Sequence, residues 1–105
     1  MQIIEKALMP DGTRIQLENW SESYPGLPYF WWEVSAYPPE YVNGRLSRRK
    51  FRLGISLETE SEARECYESL LSGKKQFAEY RKHFWYREKD EERLGLRMIT
   101  NGEDI

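Results

Sequence analysis

The chain carries one histidine, His83, and one cysteine, Cys66, which leaves little for covalent or metal chemistry. A Ser–His–Asp or Cys–His arrangement would have to use His83. That residue sits in the charged and aromatic segment Arg81-Lys82-His83-Phe84-Trp85, where no spacing supports a general base. One Cys and one His fall short of a zinc site, and a lone Cys forms no intrachain disulfide. Cys66 lies on an apolar helical stripe and reads as a small core residue. Phosphate-cradling glycine loops, dinucleotide fingerprints and EF-hand loops are all missing. Carboxylates are plentiful, but Glu58, Glu60, Glu62, Glu65 and Glu68 read as a solvated helix face that also complements the helix dipole. Glu33 is different. It interrupts an aromatic strand on the face turned from the core, where Arg52 can lie diagonally across. A structural ion pair is the favoured reading, and a polar anchor in a ligand groove the second. The chain therefore reads as non-enzymatic, with no cofactor and no metal.

Binding is the better expectation. Tyr29–Tyr37 reads as a strand with rings on both faces: Phe30, Trp32 and Val34 alternate with Tyr29, Trp31 and Tyr37. One set enters a core, and the other needs a cover. Tyr29, Trp31, Glu33 and Tyr37 are thus candidate contacts for a protein partner or a second copy of the chain, since Tyr and Trp are enriched at interface hot spots. A second candidate surface is the basic cluster Arg45, Arg48, Arg49, Lys50 and Arg52, which carries no acidic residue. With Trp31, Tyr37 or Tyr41 nearby to stack on unpaired bases, it supports nucleic-acid binding as the alternative function. Against this, the chain's net charge is −2, where nucleic-acid binders are usually basic, and a charged edge also serves to discourage sheet aggregation. Pro38-Pro39-Glu40-Tyr41 matches a short motif bound by WW grooves, but two prolines that end a strand account for it.

The elements that position these residues follow from periodicity and turn chemistry. Gln2–Leu8 and Thr13–Trp20 form the arms of a hairpin around Pro10-Asp11-Gly12, with Ile15 and Leu17 inward and Arg14, Gln16 and Glu18 on a wet face. Ser21–Pro28 is a loop, and Asn43-Gly44 a further turn. Pairing the apolar sets of Tyr29–Tyr37 and Phe51–Glu58 opposes Phe30 with Leu57, Trp32 with Ile55, Val34 with Leu53 and Ala36 with Phe51. Thr59-Glu60-Ser61-Glu62 opens a helix whose stripe is Ala63, Cys66, Tyr67, Leu70 and Leu71, and Ser72-Gly73 closes it. A second helical pattern places Phe77, Tyr80 and Phe84 on one face with Trp85 at its margin, and Leu94–Thr100 reads as a last strand or a continued helix, Gly95 and the short alternation favouring strand. The expected fold is α+β: an antiparallel sheet of four or five strands with two C-terminal helices packed on one face.

At 105 residues this is one domain, spanning residues 1–100 with a flexible tail at 101–105. Fifteen aromatic residues offset a low apolar fraction of 39%, because each ring buries roughly 150–250 Å². No apolar run approaches the ~18 residues of a membrane span, and the N-terminus has no secretory pattern, so no membrane partner and a cytoplasmic location are expected.

Overall fold

The computed structural model describes residues 1–39, 41–46 and 52–85. Strands β1 (Gln2–Leu8), β2 (Arg14–Asn19), β3 (Trp32–Tyr37), β6 (Leu53–Leu57) and β7 (Phe84–Trp85) form one antiparallel sheet in the order β1-β2-β3-β6-β7. A separate two-stranded ribbon joins β4 (Tyr41–Val42) to β5 (Arg45–Leu46). Helix α1 (Glu60–Ser72) covers one face of the sheet, packing on β2, β3 and β6. The α+β class and the antiparallel sheet are as the sequence predicts. Among the described residues no helix is long and apolar enough to cross a membrane.

Local chemistry explains the well-placed elements. The β1–β2 turn is closed by Gly12 at φ 90°, and the Asp11 carboxylate accepts from the Thr13 amide at 2.9 Å. Asn43 and Gly44 both take positive φ, the requirement of a two-residue type I′ hairpin, and they connect β4 to β5. Thr59 Oγ1 accepts from the Glu62 amide at 3.1 Å, and Gly73 ends α1 in the left-handed conformation. The core is built from Ile15, Leu17, Val34, Ala36, Leu53, Ile55 and Leu57 under Ala63, Cys66, Tyr67 and Leu70 of α1. Leu71, expected on the same stripe, is partly exposed.

Cys66 is fully buried, and burial pushes its thiol up to about 12. Native protein is expected to resist alkylation by iodoacetamide at pH 8, while urea-unfolded protein reacts fully. Mass spectrometry of the two samples checks this.

Four expectations are corrected. The aromatic strand starts at Trp32, because Pro28 occupies the first turn of a 3-10 helix, Pro28–Phe30, whose amides bond back to Leu27 and Pro28. Tyr29 and Phe30 therefore leave the sheet and stand 57% and 49% exposed. With Phe30 gone, Trp32 opposes Leu57, Val34 opposes Ile55 and Ala36 opposes Leu53. The register is two residues from the expected one, a shift that keeps every side chain on its intended face. Gln16 and Glu18 are buried rather than wet. Finally, the second helical pattern is a 3-10 helix, Phe77–His83, of which only Phe77 is buried, so the two helices are one α-helix and one 3-10 helix. Phe84 turns extended and pairs with Ile55, giving β6 a neighbour on its otherwise open edge. This short β7 is the fifth strand; Leu94–Thr100 and the 101–105 tail lie outside the described residues, as does Phe51.

Candidate binding groove

β2 and β3 pair so that Glu18 lies directly opposite Glu33 on the face turned from α1. Like charges in that position repel, and burial makes the repulsion worse. Glu18 is 0% exposed and Glu33 5%. Arg52, entering β6, resolves the conflict. One of its Nη2 contacts is Glu18 Oε1 at 2.8 Å, and the other is Glu33 Oε2. The guanidinium lies between two indoles, 4.4 Å from the ring centre of Trp85 and 5.2 Å from that of Trp20. Trp85 reaches this face because it neighbours Phe84, whose ring packs against the core on the opposite side.

Each carboxylate has a distinct set of donors. Glu18 accepts from Gln16 Nε2 at 2.7 Å, Trp20 Nε1 at 3.0 Å, Arg52 and Ser35 Oγ at 2.8 Å. Glu33 Oε1 accepts from Trp85 Nε1, and Glu33 Oε2 lies against Arg52 and 2.8 Å from Ser35 Oγ. Ser35 has one hydroxyl hydrogen for two carboxylates, so the chain is complete when Glu33 carries a proton, donates it to Ser35 Oγ, and Ser35 donates to Glu18. The electrostatics agree. Burial pushes Glu33 up to about 7, only partly offset by the charge of Arg52. Burial also pushes Glu18 upward, but the hydrogen bonds from Ser35 and Glu33 and the charge of Arg52 outweigh it and hold Glu18 below the usual carboxylate range. Desolvation opposes the charge on Arg52, yet the two carboxylates raise it above its ordinary value.

Above this cluster lies a groove of about 460 Å³ lined by Trp20, Tyr24, Phe30, Glu33, Ser56 and Trp85. That volume falls within the roughly 300–1,000 Å³ of ordinary ligand sites. Its outer rings are held in place by one another and by the backbone. Tyr24 and Phe30 have ring centres 5.4 Å apart, and the Trp31 indole donates to the Tyr24 carbonyl at 2.8 Å. Gly54 shapes the floor, since a Cβ there would overlap the Trp85 indole and the Glu33 carboxylate. Gly54→Ala is expected to expel Trp85, cost about 1–3 kcal/mol and shift tryptophan emission to the red. Urea unfolding with emission spectra reads both effects.

The expected site residues are thus distributed unevenly. Glu33 lines the groove, and its predicted ion pair with Arg52 is present. Trp31 supports the wall from behind, and Tyr29 is exposed beside Phe30, with ring centres 4.8 Å apart. Tyr37 lies further along the same face beneath the guanidinium of Arg14, 4.5 Å away. Of the basic cluster, Arg52 is committed to the carboxylates and Arg45 is exposed on β5. Arg48, Arg49 and Lys50 lie outside the described residues. Sequence reasoning missed Trp20, Tyr24, Glu18 and Trp85. Gly54 was a usable signal, because a glycine inside a strand often marks a close approach.

The carboxyl pair resembles an acid pair in its divergent proton affinities. It nevertheless presents one carboxyl to the groove rather than two, because Glu18 is sealed beneath four donors. Together the fold and the groove define a small α+β protein with a helix on one face of its sheet and an aromatic groove over a buried ion cluster on the other. Compared with known proteins, the chain matches no family model, no curated protein and no solved structure.

Proposed function

We propose that the protein is a non-catalytic binding module that takes a segment of a partner protein in the groove between Trp20, Tyr24, Phe30 and Trp85. The observation that carries this reading is a set of exposed rings that are already fixed. Tyr24, Tyr29 and Phe30 are open to solvent, with Tyr24 and Tyr29 each in tilted contact with the Phe30 ring, and Tyr24 is tied through its carbonyl to the Trp31 indole. Rigid exposed aromatics lose little entropy on contact and are the residue types that dominate interface energetics. The concave shape favours an inserted side chain over a flat face-to-face dimer.

Selection from a displayed random-peptide library tests this. Peptides enriched on the wild-type protein are expected to bind the Tyr24→Ser/Phe30→Ser double variant at least tenfold more weakly, both positions being exposed and outside the core. Equal enrichment on the two proteins removes the groove as the binding surface. Self-association is checked by sedimentation velocity across a hundredfold concentration range, where a concentration-dependent dimer lost in the same variant identifies a second copy as the partner.

A further inference from the structure

Resting on that reading, we infer that the side chain admitted to the groove is a lysine, whose ammonium lies among the rings and donates to Glu33. Three observations favour this chemistry. The first is charge. Among the described residues Glu18 and Glu33 face a single cation, Arg52, so ionisation of both leaves one negative charge without a counterpart among them. The other titratable group at the cluster is Tyr37, whose hydroxyl lies against Arg52 and is pushed up by burial and by the charge of Glu18, while Arg14 lies over the Tyr37 ring further along the face. Helix α1 packs on the opposite face and contributes none.

The second observation is the surrounding surface. Trp20, Tyr24, Phe30 and Trp85 line the same space as the Glu33 carboxylate, and π-faces attract an organic cation. Arg52 already demonstrates the affinity of this site for such a group, being held between Trp20 and Trp85.

The third is the count of acceptor positions. Glu33 Oε2 lies against Arg52 and Ser35 Oγ, whereas among the described residues Oε1 accepts from Trp85 alone. A carboxylate oxygen has two lone pairs, so one position remains. A single N–H of an ammonium fits one position; the forked, two-point donation of a guanidinium does not. Lysine is therefore selected over arginine. The bound ammonium balances the charge of ionised Glu33, whose proton is released to solvent as the complex forms, leaving the one Ser35 hydrogen for two ionised carboxylates.

The test uses Nα-acetyl-lysine N-methylamide, its Nε-acetylated form and the corresponding arginine compound as probes of the whole chain. The NMR signals of the Trp20 and Trp85 indole N–H groups are the readout. The lysine compound is expected to shift both signals, with at least tenfold higher affinity than the Nε-acetylated or arginine compounds. Its affinity should rise from pH 6 to pH 8, and calorimetry in two buffers should register proton release at pH 6. Glu33→Gln should abolish the preference for the charged form. Phe30→Ala, exposed and outside the ion cluster, should weaken the lysine compound without altering the fold. Equal binding of the charged and acetylated compounds, or a preference that survives Glu33→Gln, overturns the inference. In that case library peptides without lysine that still bind the groove would leave the binding-module reading standing. If neither probes nor peptides move the two signals, both fall.

Discussion

Arg52→Met is expected to lower the free energy of unfolding by about 3–5 kcal/mol at pH 8, the usual consequence of removing one partner from a buried charge cluster. Methionine fills much of the same space between Trp20 and Trp85 but supplies no charge and no donor. Two carboxylates are then left buried and opposed across β2 and β3 with no cation between them and only the Ser35 hydroxyl bridging them. For a domain with a total stability of roughly 5–15 kcal/mol, that loss approaches unfolding. Urea denaturation followed by circular dichroism measures it. Glu18→Gln added to Arg52→Met should recover part of the loss, because the remaining carboxyl no longer faces a second one. Non-additivity of that kind is the signature of groups that act together. A loss below about 1 kcal/mol, typical of exposed ion pairs, would mean that water screens the cluster.

Stability should also be greatest in mildly acidic solution. Glu33 titrates near 7 in the folded protein and near 4.5 when unfolded, so between those values the folded state holds the extra proton. Stability contributed by that proton is present at low pH and lost as pH rises toward 7 and above, by about 3 kcal/mol in full. Glu18 has the opposite sign. Its proton affinity is lowered by folding, so its contribution is present above about 4.5 and disappears as pH falls through its folded value. The two limbs meet in a maximum near pH 4.5, the unfolded value that both carboxyls share. Glu33→Gln removes the upper limb: the variant should be more stable than wild type at pH 8 and similar to it at pH 5. Urea midpoints at the two pH values decide the matter, and a flat wild-type profile would contradict the shared proton.

Elements governed by local chemistry were legible in the chain. Pro10-Asp11-Gly12, Asn43-Gly44 and the Thr59-to-Gly73 helix each depend on residues that are neighbours in sequence, and each formed as expected. Alternation also assigned the faces of β3 and β6 correctly, with Val34 and Ile55 inward and Glu33 turned away. One error was local, and the others arose where a tertiary partner decided the outcome. Pro28 favours a 3-10 turn as readily as it starts a strand, and that turn removed Phe30 from the sheet. The spacing of Phe77, Tyr80 and Phe84 is helical, but the open edge of β6 drew Phe84 into an extended pairing. Gln16 and Glu18 alternate with Ile15 and Leu17 as a solvated face would. Only the arrival of Arg52 and Trp85 from distant parts of the chain, beside the neighbouring Trp20, turned that face into an interior.

That arrival gives the two-residue strand Phe84–Trp85 a mechanical role. One ring is latched into the oily side of the sheet and its neighbour bolts the guanidinium from the other. A strand with so few ladder bonds is among the first segments to detach in native-state fluctuations. Its release would unlock both sides at once, admitting water to Ile55 and to Arg52 in a single step, and whatever grips Trp85 from outside would hold the whole molecule shut.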